Sequence, residues 1–277
     1  MSKTHYSQLL DHHMHTTLSP DGRQSFDDIA QDTIARGKEL VVTTDHMELF
    51  YLNKGNFFCV DMDEYAKEFA AIQAKYPQLT FMRGMELGYE SAAAGQIQQF
   101  IDDQQLAVAI ISIHTLFDGK DLADEIAKDG YWKYSNDLFD DVLNATIDAL
   151  EKLHGFQTLG HLDYCWRYMK KKPKSLEPYY PKLDKIFQLL IEKEISLDIN
   201  TAGWRYGLPF AHPQPAILER YYAVGGRMVT LGSDAHFTKD INADFERALK
   251  MLAEIGFDYI TEFRPQMTKV FLTDIDY

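Results

Sequence analysis

Leu9-Leu10-Asp11-His12-His13-Met14-His15 opens the readable pattern of this chain. An apolar pair runs into a His-x-His. In an extended segment alternate side chains share a face, so His13 and His15 point one way and His12 the other. Two imidazoles on one face make half of a metal site. Leu18-Ser19-Pro20-Asp21-Gly22 follows, a turn able to swing Asp21 back over the same strand end.

The pattern continues to the end of the chain. Short apolar runs read as strands at residues 9–13, 40–44, 80–85, 107–113, 158–161, 195–200 and 228–232. Amphipathic stretches follow them at 25–35, 61–75, 93–103, 136–153, 178–192, 213–224 and 243–255. Ser25-Phe26-Asp27-Asp28 has the form of a capping box. Pro213 suits a first helical turn, and Gly225-Gly226 ends that helix. A last apolar run, 269–272, reads as a terminal strand or tail. Repeated β-then-α units fit a closed barrel or an open doubly wound sheet. Links into strands are short, whereas several links out of strands are long (45–60, 114–135, 162–177 and 201–212). Barrels build active sites from such loops at the C-terminal ends of their strands. No Gly-x-Gly-x-x-Gly follows the first strand. The expected fold is therefore α/β, a distorted (β/α)7 TIM-like barrel, with residues 1–277 as a single domain.

Composition narrows the partners. The 277 residues are 45% hydrophobic and 25% charged, as in ordinary folded proteins. No run approaches the roughly 18 apolar residues of a membrane span. The N-terminus lacks a signal-peptide core, and Cys59 and Cys165 form no Cys-x-x-Cys. A cytoplasmic address without membrane contact is expected. The net charge of −14 argues against nucleic acid as a partner. It still allows an anionic small molecule, because bound divalent ions reverse the potential locally. Oligomeric state stays open.

Six of the ten histidines fall at C-terminal strand ends: His13, His15, His46, His114, His161 and His236. Asp21, Glu86 and Asp234 join them. Each has an ordinary structural reading. His46 could bond a carbonyl, Glu86 could be a surface charge, and Asp234 could cap a helix. Converging on one barrel face, these ionisable groups need a counter-charge, which divalent cations supply. A thiolate-free donor set suits Zn, Mn or Fe. The donors are too many for one ion, so two to three divalent metal ions are expected, with Glu86 as a bridge.

These residues resemble the ordered motifs of the polymerase-and-histidinol-phosphatase (PHP) superfamily. The likeness runs through Asp11-x-His13-x-His15, Asp21, Thr44-Asp45-His46, Arg83-Gly84-x-Glu86, Ile113-His114, Gly160-His161 and Gly232-Ser233-Asp234-x-His236. Gly160-His161-Leu162-Asp163 and Asp198-x-Asn200-Thr201-x-Gly203-x-Arg205 look most like its histidinol-phosphatase branch. The resemblance implies a trinuclear centre. One metal would take His13, His15, Glu86 and Asp234; a second Glu86, His114 and His161; a third Asp21, His46 and His236. Two departures stand out. Trp166-Arg167 occupies a place where relatives often have two basic residues, and Asp21 stands where some have histidine.

The implied chemistry is hydrolysis of a small phosphomonoester, L-histidinol phosphate, by a metal-bridging hydroxide, with Asp234, His236 and Glu86 as catalytic residues. Arg205, Arg167 and Asn200 are the substrate-binding candidates, Arg205 as a forked donor to phosphate. Protonation of the leaving alkoxide could come from Asp163, Asp198 or a metal-bound water. Aromatics crowd the long loops, among them Phe50, Tyr51, Phe57, Phe58, Trp132, Tyr164, Trp166, Tyr206 and Phe210. Most are expected to pack the loops, and a few to face a ring-bearing cationic substrate. Glu48, Glu90 and Asp118 are available for its ammonium. Competing readings are another PHP phosphoesterase (a protein-tyrosine phosphatase, phosphodiesterase or nuclease), a silent metal-binding domain, and an amidohydrolase. The last lacks a suitably placed lysine.

Overall fold

The computed structural model describes residues 3–49, 58–117 and 119–276. Six parallel strands form one curled sheet in chain order: β1 (Leu40–Met47), β2 (Thr80–Gly88), β3 (Val108–Ser112), β4 (Thr158–Leu159), β5 (Ser196–Asn200) and β6 (Val229–Gly232). The register sets His46 beside Glu86 across β1 and β2, and Asn200 beside Gly232 across β5 and β6. Neighbouring strands thus end level, and their last residues share one rim.

The seventh place is filled by the opening segment, but without the regular strand expected at 9–13. His12 N donates to Leu231 O (2.9 Å) on the β6 edge, and His13 O accepts from Asp234 N (2.7 Å). On the other side Met14 O accepts from Thr44 N of β1 (2.8 Å). Side-chain oxygens replace the remaining ladder partners. Leu10 N bonds Glu262 Oε1 (2.7 Å), and Met14 N bonds Thr44 Oγ1 (3.0 Å). The Asp11 carboxylate takes the backbone N–H groups of Ser233 and Asn242, both at 2.9 Å. Buried backbone groups demand such partners, and here side chains supply several of them, so the ladder is irregular. His12 faces away from His13 as the alternation requires, its Nε2 accepting from Phe263 N at 3.0 Å.

Among the described residues, seven main helices follow the opening segment and the strands: α1 (Phe26–Ala35), α2 (Met62–Lys75), α3 (Ala94–Gln104), α4 (Leu138–Lys152), α5 (Tyr180–Glu192), α6 (Pro215–Ala223) and α7 (Phe245–Ile255). The Ser25–Asp28 capping box starts α1, and Asp61 caps α2. Pro215, not Pro213, takes the first turn of α6, because Pro213 sits two residues earlier, after a cis bond from His212. Helix inner faces such as Leu183, Ile186, Phe187 and Leu190 are fully buried, which is the main stabilisation of the βα layers. The tail is a hairpin, β7 (Tyr259–Phe263) with β8 (Met267–Phe271), larger than the expected run at 269–272. Phe263 packs with Leu10, Val42, Met82, Val108 and Ile110 and closes the N-terminal end of the barrel. The functional groups are left to the other end.

Candidate metal centre

Glu86, at the end of β2, is the hub. Its Oε2 lies 3.2 Å from His13 Nε2, 3.6 Å from His15 Nε2 and 3.0 Å from His46 Nδ1. Its Oε1 lies 3.2 Å from His114 Nε2 and 3.0 Å from His161 Nε2. Asp234 Oδ1 approaches His15 Nε2 to 3.2 Å and His13 Nε2 to 3.8 Å. At the rim Asp21 Oδ2 sits 3.2 Å from His236 Nε2 and 3.5 Å from His46 Nε2. All the ligand candidates read from sequence meet on this face. Four overlapping trios have donor atoms within 4.8 Å of one another: His13–His15–Asp234, His13–Glu86–His161, His46–Glu86–His114 and His15–His46–His236. His46 thus faces Glu86 as well as the Asp21–His236 group.

Residues behind the donors fix their orientation. Asp198 Oδ2 accepts from His13 Nδ1 at 3.0 Å, Glu48 Oε1 from His114 Nδ1 at 2.6 Å, and Asp234 O from His236 Nδ1 at 2.9 Å. Each bond holds the ring proton on Nδ1 and leaves Nε2 to bind metal. The Gln24 amide donates to His15 O and Ala235 O, both at 2.9 Å, clamping two donor-bearing segments together. Asp45 is no rim donor. It is fully buried and accepts from Thr16 N and Ser19 Oγ, both at 2.7 Å, thereby holding the turn that carries Asp21. Gly232 is required by close approach, since a Cβ there would lie 2.5 Å from His13 Cβ and 2.6 Å from Asp198 Oδ1. Asp234 adopts φ 55°, a left-handed conformation uncommon outside glycine and characteristic of functional turns.

The electrostatics follow from burial and crowding. Burial pulls His13, His46 and His114 down, but Glu86 and the other carboxylates overcome it and hold all three well above 6.5. Burial and the neighbouring His46 and His236 push His15 down to about 3, and burial takes His161 to about 4. For Glu86 and Asp234 burial works upward, yet the surrounding imidazoles keep both carboxylates well below their usual range. Several of these buried atoms have no hydrogen-bond partner: His13 Nε2, His15 Nε2, His46 Nδ1, Glu86 Oε2 and Asp21 Oδ1. Orphaned donor atoms arranged around one carboxylate are costly unless cations occupy the space between them. The donor set fits divalent ions such as Zn, Mn or Fe. Neither cysteine joins it: Cys59 Sγ donates to Glu48 O, and Cys165 is buried in the core.

The phosphate-side candidates lie beside this cluster. Arg167, in the short turn of helix Tyr164–Arg167, has Nη2 3.6 Å from Asp234 Oδ2. Arg205, ending the short helix Ala202–Arg205, donates through Nη2 to Ser233 O and to Asp234 O (3.2 Å), and its buried Nη1 has no partner. Asn200 is fully buried, its Oδ1 accepting from Ala202 N (3.1 Å) and its Nδ2 unpartnered. Asp163 is also fully buried, with both oxygens engaged by His212 Nδ1 and Gln214 N. Tyr164 packs its ring on His161 (4.7 Å) and Trp166 packs on Phe139, while Tyr206 stays exposed. Phe50, Tyr51, Phe57 and Asp118 lie outside the described residues. A cavity of about 100 Å³ opens between His46, Glu48, His114, Asp121 and Tyr164. A wider groove of about 780 Å³, along α7, is lined by none of the metal donors.

A distorted parallel barrel with a dense His/Asp/Glu cluster on its C-terminal rim defines a metal-dependent hydrolase barrel. A match to the PHP domain family covers residues 11–202. A Thermotoga maritima protein named "Probable histidinol-phosphatase" is 31% identical over 253 residues, spanning 91% of this chain and 94% of its own length. The Lactococcus lactis "Histidinol-phosphatase" is 26% identical over 268 residues, spanning 92% and 94%. Among solved structures, histidinol phosphate phosphatase from Lactococcus lactis, complexed with zinc, L-histidinol and phosphate, superposes with a TM-score of 0.77. That match has 24% identity and covers 95% of this chain and 99% of that one, a likeness of fold. The chain belongs to the PHP domain family.

Proposed function

We propose that the chain is a histidinol-phosphatase, hydrolysing L-histidinol phosphate to L-histidinol and phosphate in histidine biosynthesis. The observation that carries this reading is the Glu86-centred cluster of orphaned donor atoms with two arginines, Arg167 and Arg205, at its margin. Its relatives' names supply the substrate. Two to three divalent ions, held by His13, His15, Asp21, His46, Glu86, His114, His161, Asp234 and His236, would acidify a water and offset charge on the phosphoryl oxygens.

The chain's own residues do the rest. Glu86 reaches donors on both sides through its two oxygens, which fixes the spacing of the cluster. Asp234 and His236 hold the opposite wall. Arg205 through its unpartnered Nη1 and Arg167 through its unpartnered Nη2 can each donate to a phosphate oxygen. Asp163 and Asp198 are committed to His212 and His13, so neither is placed to protonate the leaving alkoxide. Glu48, committed to His114, is likewise an orienting group before it is a partner for an ammonium. Among the described residues no helix is long and apolar enough to cross a membrane. Pairing of Thr4 with Ile275 ties the two ends of the chain together, which supports one domain. A cytoplasmic address is part of the same proposal.

The test is phosphate release from L-histidinol phosphate by metal-quantified protein, beside other phosphomonoesters and a phosphodiester. Efficiency near ~10⁴ M⁻¹s⁻¹ or above on histidinol phosphate is expected. Comparable turnover only on a phosphotyrosine or diester substrate would transfer the site to another phosphoesterase of the family.

A further inference from the structure

His212 belongs to none of the donor trios. It is fully buried, in the loop between β5 and α6. Two backbone bonds with Asn200 fix it to the end of β5: Asn200 N to His212 O (2.7 Å) and His212 N to Asn200 O (2.9 Å). Its ring is bonded at both nitrogens. Nε2 lies 2.9 Å from Arg167 Nε, and Nδ1 lies 2.5 Å from Asp163 Oδ1.

Arginine can only donate, so His212 Nε2 must accept, and the ring proton must sit on Nδ1 and point to Asp163. The second Asp163 oxygen accepts from Gln214 N (2.9 Å), which anchors the carboxylate to the same loop. The chain Asp163–His212–Arg167 therefore has one consistent set of donors and acceptors, with a neutral imidazole in the middle. Burial lowers the His212 pKa against the pull of Asp163, in keeping with that state.

Arg167 is held on its faces as well. Its guanidinium carbon lies 4.8 Å from the centre of the Tyr164 ring and 4.3 Å from that of Tyr206. With Nε taken by His212, the free edge of the fork turns to the metal centre. Nη2 is buried, has no hydrogen-bond partner, and stands 3.6 Å from Asp234 Oδ2. A buried guanidinium N–H left open beside a cation site is suited to an oxyanion that bridges the two.

We infer that His212 is a positioning residue: acting as a neutral relay between Asp163 and Arg167, it aims Arg167 Nη2 at a phosphoryl oxygen bound at the metal centre. This rests on the phosphomonoesterase reading for the identity of the anion, and on the geometry for the aim.

The experiment uses the metal-loaded full chain and two readouts, calorimetric binding of inorganic phosphate and kcat/KM on L-histidinol phosphate, with metal content measured alongside. H212A should weaken phosphate binding by about tenfold or more, the scale of one charge-assisted hydrogen bond, at unchanged metal stoichiometry. H212Q, whose amide can accept from Arg167 and donate to Asp163, should recover most of it. In an R167A background H212A should cost nothing further, because the two residues act as one unit. Unchanged phosphate affinity in H212A, equal losses in H212A and H212Q, or additive losses with R167A would each overturn the inference, as would wild-type protein that does not bind phosphate. Wild-type binding of phosphate without hydrolysis of histidinol phosphate would remove the proposed function while the His212 variants still judged this one.

Discussion

At the scale of single residues, the centre depends on which ring nitrogen each histidine offers. His13 presents Nε2 to Glu86 because Asp198 Oδ2 holds Nδ1 at 3.0 Å. Removing that carboxylate frees the ring to rotate and to change tautomer while leaving every donor in place. Asp198→Ala should therefore lower metal affinity by about 10–100-fold, read by competition with a chromophoric chelator. Wild-type affinity in this variant would show that His13 needs no orienting partner. The donors themselves were legible in the sequence, because a His or acid at the end of an apolar run is a local pattern. Asp198 and Glu48 read from sequence for other tasks, Asp198 as a candidate proton donor and Glu48 as a partner for the substrate ammonium, not as orienting groups. Their partners, His13 and His114, lie on other strands, and no local pattern links a carboxylate to the imidazole it orients.

Among elements, the seventh place of the barrel departs most from the sequence reading. Strand order, helix spans and the rim were legible because apolar runs and i, i+3, i+4 spacing report burial directly. Residues 9–13 read from sequence as a strand, yet the ladder of this opening segment is completed by Asp11, Thr44 and Glu262 side chains that periodicity does not register. Asn242 gathers this closure: its N–H bonds Asp11 Oδ2 (2.9 Å), its Nδ2 bonds Leu9 O (3.0 Å), and its Oδ1 accepts from Lys38 Nζ (2.9 Å). Lys38, in the link between α1 and β1, is buried there, and burial pulls its pKa from 10.5 to about 8 against the attraction of Asp11. Between those pH values the unfolded chain binds more protons at this lysine than the folded one, so the native state gains stability as pH rises. Below pH 8 the penalty is fully present, of the order of 3 kcal/mol. Compared with Lys38→Met, the wild type should therefore gain stability in urea melts between pH 8 and 10.5. Parallel stability curves for the two proteins would mean that the ammonium is solvated in the native state.

For the molecule as a whole, the metal centre is also a staple. Its donors come from the opening segment, from the ends of β1 and β2, and from the loops after β3, β4 and β6, so ions held there tie both edges of the curled sheet to the irregular segment between them. Without ions, the same donors are buried and partly orphaned. Ligand binding to the folded state alone adds RT ln(1 + [L]/Kd), about 4 kcal/mol at a free metal concentration a thousandfold above Kd. For a chain of this size that corresponds to a fall in Tm of roughly 10 °C on chelation. Calorimetry with and without EDTA, with metal content measured in each sample, reads the size of the effect. Hydrogen exchange reads its place: protection should fall first at residues 9–15 and along β1 and β6, while the buried face of α5, which contributes no donor, keeps its protection until global unfolding. If stripping the ions leaves Tm unchanged, or loosens all elements alike, the ions serve chemistry only, and the side-chain bonds of Asp11, Thr44 and Glu262 suffice to close the barrel.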